Sequence, residues 1–192
     1  MLAQLAKIWN LIVIGVVGSS HKVEHAKTVL GCDHVIDKSK ENLWEKAKEY
    51  SPEGYGAIFD ANGYVTLRSS YDHLAPGGRL IAYGFHSMLP KSGGILGLWE
   101  WIKIIWGYLQ TPTFNPLTMT TENKGILCFN LSFMFNRTDV LEEAMKFLLR
   151  HIEEGTIKAP KVTVFSMSES GAAHASLESG STIGKLVLNT SE

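Results

Sequence analysis

Ser19, Ser20 and Lys22 stand together at the end of an apolar run, and their side chains suit them to hold a phosphate: two hydroxyl donors and a cation. They close the stretch at residues 11–22, Leu-Ile-Val-Ile-Gly-Val-Val-Gly-Ser-Ser-His-Lys. A short β-branched run ended by small polar residues predicts a strand buried on both faces. Ser19 and Ser20 are good helix caps, and Val23, Ala26, Val29 and Leu30 then keep helical spacing up to Gly31. Strand, tight turn and helix make the unit that turns free backbone N–H groups toward an anion. The turn itself carries no acid. In a dinucleotide fold an acid there takes the ribose hydroxyls of NAD, whereas a cation suits the 2′-phosphate of NADP. The residues read as an NADP(H) adenosine-phosphate site, with an ordinary capped helix as the alternative.

The elements that must position this turn follow from periodicity. Leu2, Leu5, Ala6 and Trp9 recur at helical spacing. Strands are predicted at 34–37, 57–60, 79–84, 125–133, 161–165 and 185–188, and helices at 41–50, 65–74, 140–153 and 168–179. Residues 76–78, Pro-Gly-Gly, read as a turn, and 111–121, with Pro112 and Pro116, as a linker. Alternating short strands and helices predict a parallel sheet covered on both faces. Its ligands belong outside the carboxyl ends of the strands, at 18–22, 60–63 and 84–87. Residues 95–109 are apolar apart from Glu100 and Lys103, too short and interrupted to span a bilayer. Core packing is expected of them; a membrane-surface or dimer contact is the lesser reading.

Composition narrows the classes. The 192 residues, 45% of them hydrophobic, suffice for one core with an appendage. A net charge of −1 from 18 basic and 19 acidic residues offers no field for nucleic acid or anionic lipid. Cys32 and Cys128 form no CxxC and fit a reducing compartment. Residues 1–17 imitate a short signal peptide, and Asn130, Asn136 and Asn189 open glycosylation sequons. Yet Lys7 and Asn10 adjoin the apolar run, which continues into a structured unit, so a cytoplasmic protein is expected. Residues 180–185, Gly-Ser-Thr-Ile-Gly-Lys, are one residue short of a phosphate loop and are followed by Leu186; they read as a helix stop and strand start. His21 and His25 lie one helical turn apart without a third ligand and read as a solvated face. Leu74-Ala-Pro-Gly-Gly-Arg-Leu-Ile occurs in dehydrogenases and in adenosylmethionine-dependent methyltransferases, the latter wanting an acid after the first strand here.

Taken together, Gln4-Leu-Ala-Lys7, Gly15-Val-Val-Gly-Ser-Ser-His-Lys22, Leu30-Gly-Cys-Asp-His-Val-Ile-Asp37, Asp60-Ala-Asn-Gly63, Leu74 to Gly84, Gly125-Ile-Leu-Cys-Phe-Asn-Leu131 and Gly184-Lys-Leu-Val-Leu188 keep a recognisable order and spacing. They resemble the C-terminal, cofactor-binding portion of zinc-free medium-chain dehydrogenase/reductases, in the quinone-oxidoreductase and vesicle amine transport protein-like branch. The resemblance implies an α/β, Rossmann-like doubly wound parallel sheet, N-terminally truncated. It assigns residues 1–155 to a dinucleotide-binding domain and 156–192 to a strand–helix–strand remnant of the catalytic domain. It implies NADP(H), with Ser19, Ser20 and Lys22 on the 2′-phosphate and Asn62 and Gly63 near the adenosine ribose. Gly84 and Phe85 would approach the cofactor bridge, the backbone of Phe129, Asn130 and Leu131 the nicotinamide, and Lys185 either the cofactor or the surface. No metal ligand and no catalytic residue is identified. Family members pair the strand at 126–130 with its mate in a homodimer. The implied function is the C-terminal part of an NADP(H)-dependent oxidoreductase acting on quinone or enone carbonyl compounds. A non-catalytic binding or dimerisation module is the alternative, and a methyltransferase-like domain a more distant one. Relatives place a barrel-like domain and a glycine-rich turn first, and this chain starts within the helix after that turn, so it is expected to be inactive alone.

Overall fold

The computed structural model describes residues 1–88 and 97–191. Backbone contacts divide the chain into two compact units, Met1–Lys46 with Thr138–Glu192, and Ala47–Arg137. All of its described strand pairs are parallel.

In the first unit, α1 (Leu2–Ile8) leads to β1 (Ile14–Val17), which pairs in register with β2 (His34–Asp37) so that Val17 faces Asp37. Between them a 3-10 turn (Ser20–Lys22) runs into α2 (Val23–Thr28). Ala26, Cys32 and Val35 form a small core joined by Ala3, Val13, Val17, Val23 and Leu30. β1 is covered unevenly. Ile12 and Val16 are 79% and 50% exposed, which corrects the expectation of a strand buried on both faces. Val13 and Val17 join the core built by Ala26, Cys32 and Val35, whereas Val16, on the opposite side of the pleat, is half exposed. The strand also begins three residues later than expected. A positive φ at Asn10 (55°) breaks the chain there, and Asp33 fixes the approach, accepting from Val13 N (2.7 Å) and pairing with Lys7 at 2.9 Å. The Lys7 bond holds the Asp33 carboxyl below the usual carboxylate range. After α7 (Thr138–Glu153) come β6 (Val162–Ser166), α8 (Ser170–Glu178) and β7 (Lys185–Asn189), with β6 and β7 paired, among the described residues, only with each other. Residues 180–185 are a helix stop and strand start, as expected, with positive φ at Gly180 and Gly184.

In the second unit, β3 (Tyr55–Asp60), β4 (Leu74–Ala82) and β5 (Gly125–Cys128) form a sheet of that order. Leu80 is fully buried beside Leu67, Tyr71, Leu74 and Ala82. α3 (Leu43–Tyr50) precedes the sheet and α4 (Leu67–Asp72) crosses from β3 to β4. The turn expected at 76–78 is instead a bulge inside β4: Tyr55 faces Leu74, Ala57 faces Arg79, and the residues between loop out. β5 stops at Cys128, short of the expected 133, because Asn130 caps a 3-10 turn (Leu131–Phe133) by accepting from Ser132 N at 3.0 Å. The linker expected at 111–121 contains α6 (Pro116–Glu122). Pro116 sits at its start, where the missing N–H costs nothing, and Asn115 accepts from Leu117 N at 2.9 Å. α5 (Leu98–Leu109) is not core: Trp99 and Tyr108 are over 70% exposed, and only Gly107 is buried, against Tyr64. The preceding residues of the 95–109 segment, 95–96, lie outside the described ones. Among the described residues no helix is long and apolar enough to cross a membrane.

Candidate functional site

Each unit brings part of the expected site together. In the first unit, β1 ends at Val17, and after Gly18 Ser19 takes an extended conformation (φ −163°, ψ 147°) before the 3-10 turn. Ser19 stands at the N-cap of that turn, as expected, but without a side-chain capping bond, and Ser20 lies inside the turn rather than capping α2. The Ser19 hydroxyl makes no capping bond, and the Ser20 hydroxyl donates to Asp37 Oδ2 at 2.6 Å. Asp37 is buried at 6% exposure and also accepts from Ser39 N (3.0 Å) and Ser39 Oγ (2.6 Å). The Ser20 and Ser39 hydroxyls hold its carboxyl below the usual range. An acid thus stands beside the turn. Sequence spacing missed it because Ser20 and Asp37 are 17 residues apart; the signal was that two adjacent parallel strands end level with one another.

The two following side chains reach the loop before β7. His21 Nε2 bonds Ser181 O at 2.9 Å, and Lys22 Nζ donates to Gly180 O at 2.5 Å. His21 is therefore tied down rather than part of a free solvated face. An ammonium has three donors, so Lys22 keeps two for a ligand. Lys185 begins β7, donates its backbone N–H to Lys161 O at 2.8 Å, and is exposed.

In the second unit the expected residues converge at the carboxyl ends of β3 and β4. Asp60, 3% exposed, organises them although the sequence reading gave it no role. Its Oδ1 accepts from Asn62 N (2.8 Å) and Gly63 N (3.2 Å), and its Oδ2 from Thr66 Oγ1 (2.7 Å) and Ser70 Oγ (2.8 Å). The signal was an acid at a strand end followed by Asn-Gly and by hydroxyls on the next helix. The loop so fixed is hooked to the one after β4: His86 N donates to Ala61 O at 3.0 Å and Ser87 N to Asn62 O at 2.9 Å. Gly63 has φ +92°, and a Cβ on it would lie 2.6 Å from Phe85 Cδ1. Asn62 itself is exposed.

Tyr83, Gly84, Phe85, His86, Phe129 and Asn130 line a cleft of about 280 Å³ at these strand ends. Phe129 N donates to Ala82 O at 3.1 Å, and the Tyr83 and Phe129 rings stack at 6.2 Å. Leu131 is exposed beside it. A small, partly aromatic cleft with backbone at its floor suits a planar ring better than a charged group.

Residues 30–188 match the family model described as zinc-binding dehydrogenase. The chain is 25% identical over 187 residues to a synaptic vesicle membrane protein VAT-1 homolog of Danio rerio, covering 97% of this chain and 37% of that protein. It is 27% identical over 186 residues to a probable quinone oxidoreductase of Leishmania amazonensis (96% and 51% covered) and 28% identical over 177 residues to a 2-haloacrylate reductase of a Burkholderia species (92% and 47% covered). Among solved structures it is similar to Escherichia coli quinone oxidoreductase complexed with NADPH, with a TM-score of 0.71 at 25% identity, covering 97% of this chain and 52% of that one. The chain thus spans about half, or less, of the curated relatives it matches. Their fold confirms the expected α/β, Rossmann-like class.

Proposed function

The chain belongs to the zinc-binding dehydrogenase family, among its quinone-oxidoreductase and VAT-1-like members, and from that premise we propose that it is the cofactor-holding part of an NADP(H)-dependent oxidoreductase reducing quinone or enone carbonyl compounds. The observation that carries this reading is the turn after β1, where the Ser19 hydroxyl and two donors of Lys22 remain available at the carboxyl end of a parallel strand. Among the described residues both are hydrogen-bond donors without an acidic partner, which fits a phosphate. The family's name implies zinc, but among the described residues no group of three His, Cys, Asp or Glu could hold a metal ion, so no step is routed through one.

NADPH, when bound, supplies the hydride for reduction of a polarised double bond. Lys22 and Ser19 hold its 2′-phosphate. The Ser20 hydroxyl donates its hydrogen bond to Asp37, so it donates to the phosphate only after turning away. Asn62 and Gly63, fixed by Asp60, stand at the adenosine ribose, and Gly84 and Phe85 at the cofactor bridge. Backbone at Phe129, Asn130 and Leu131 holds the nicotinamide side, where the Tyr83, Phe85 and Phe129 rings offer an apolar surface to a planar ring. Lys185 starts a strand at the surface and has the weakest case for a cofactor role. Residues 1–155 make the dinucleotide-binding portion and 156–192 a strand–helix–strand of the catalytic domain, in keeping with β6 and β7 pairing, among the described residues, only with each other. The outer strand β5 is the surface for a homodimer, as it lies at the edge of its sheet with Leu127 half exposed.

Lys22→Ala separates this reading from a general anion patch. NADPH affinity is expected to fall about tenfold to a hundredfold, the loss of a charge-assisted bond, while NADH affinity stays within about twofold. Calorimetric titration of both cofactors into the two proteins checks it. Equal losses for NADPH and NADH would mean that Lys22 does not read the phosphate.

A further inference from the structure

A second lysine stands at the same turn. Lys38 follows β2 directly, and its backbone N–H donates to Val17 O at 3.1 Å, so the chain leaves β2 beside the end of β1. From there the side chain folds back over Gly18: Lys38 Cε lies 3.7 Å from the position a Cβ on Gly18 would take. Its methylene stem therefore rests on the backbone at the mouth of the turn. Lys38 is exposed, and among the described residues its ammonium has no hydrogen bond or ion pair.

Charge balance gives that placement a meaning. A phosphate monoester carries about −1.5 to −2 at neutral pH. At this turn it would also meet Asp37, whose carboxylate is held by the Ser20 and Ser39 hydroxyls and takes Lys40 as its nearby cation. Lys22 supplies one positive charge and shares it with the Gly180 carbonyl. With Lys40 drawn to Asp37, Lys22 alone does not offset a phosphate dianion. The second cation is Lys38.

We propose that Lys38 is a second 2′-phosphate-binding cation, reaching over Gly18 to the phosphate held by Ser19 and Lys22, and a determinant of the preference for NADP(H) over NAD(H). The proposal rests on the reading of this turn as the 2′-phosphate site. It assigns a specificity role to a residue at the end of β2 rather than in the turn itself. Being exposed and attached only through its backbone, Lys38 can be replaced without disturbing the fold.

The test is amide-resolved NMR titration of the chain with adenosine 2′,5′-bisphosphate and with 5′-AMP, which differ at the phosphate in question. The unaltered protein is expected to prefer the bisphosphate. Lys38→Ala is expected to weaken the bisphosphate about tenfold and 5′-AMP by less than about twofold, and Lys38→Arg to restore the preference. Raising the salt concentration should shrink the difference between Lys38→Ala and the unaltered protein, because a charge contact at the surface is screened. If Lys38→Ala binds the bisphosphate as well as the unaltered protein does while Lys22→Ala does not, the turn keeps its assignment and Lys38 loses its role. If the unaltered protein takes both nucleotides equally, the assignment of the turn fails and the role of Lys38 fails with it.

Discussion

Asp60→Ala is expected to lower the stability of the chain by about 3–5 kcal/mol, the largest effect of any single exposed-or-buried polar change at the site. The carboxylate is 3% exposed and accepts from four donors, two backbone N–H groups and two hydroxyls. Each buried donor left unsatisfied costs about 1–3 kcal/mol, less whatever water recovers by entering the space. Asp60→Asn keeps one carbonyl oxygen for Asn62 N and Gly63 N and turns an NH₂ toward Thr66 and Ser70, whose hydroxyls can accept instead. It should fall between the alanine variant and the parent. At roughly 2–4 °C per kcal/mol for a chain of this size, Asp60→Ala should melt about 6–20 °C lower. A melt within about two degrees of the parent would show that the carboxylate does not hold the loop after β3.

The second large effect concerns Gly63. An alanine there would carry a Cβ 2.6 Å from Phe85 Cδ1 and 3.1 Å from Phe85 Cα, at φ +92°. Backbone strain alone costs about 1–3 kcal/mol. The clash with Phe85 adds to it, because the Cα cannot swing aside as a side-chain tip can. Gly63→Ala is therefore expected to cost about 2–4 kcal/mol and to unhook the two loops. Gly77 is the control: its φ is +82°, but nothing lies within 4 Å of its notional Cβ, so Gly77→Ala meets the strain without the clash. Hydrogen exchange reads the difference. His86 and Ser87, whose amides bond Ala61 O and Asn62 O, should lose protection in Gly63→Ala and keep it in Gly77→Ala. Protection unchanged in both would show that the loops are held by something other than this contact.

What the sequence made legible depended on whether its signal was local. β2 is predicted to the residue at 34–37 because a Gly31 turn precedes it and a run of polar residues follows. β1 is less well placed, since an apolar run does not say which of its faces will be covered, and Ile12 and Val16 proved exposed. α6 was hidden by its own start signal: Pro112 and Pro116 read as breakers, whereas Pro116 with the Asn115 cap opens a helix. α5 lacks a polar face, so periodicity could not distinguish a buried helix from an exposed one.

The candidate site divides along the same line. Ser19, Lys22, Gly63, Gly84 and Phe85 sit at strand ends, where the alternating pattern placed them. Their partners could not be read, because Asp37 meets Ser20 across a strand pair, and Gly180 meets Lys22 across 158 residues. Lys38 escaped notice for the same reason: only the fold brings the end of β2 over Gly18.

The central claim is that the turn after β1 recognises the 2′-phosphate of NADP(H). The most direct measurement is amide-resolved NMR titration of the chain with NADPH and, separately, with NADH. The account predicts that the amide signals of Gly18, Ser19, Ser20 and Lys22 shift with NADPH at concentrations where NADH leaves them in place. Equal shifts with the two cofactors, or NADPH shifts confined to other residues, would contradict it.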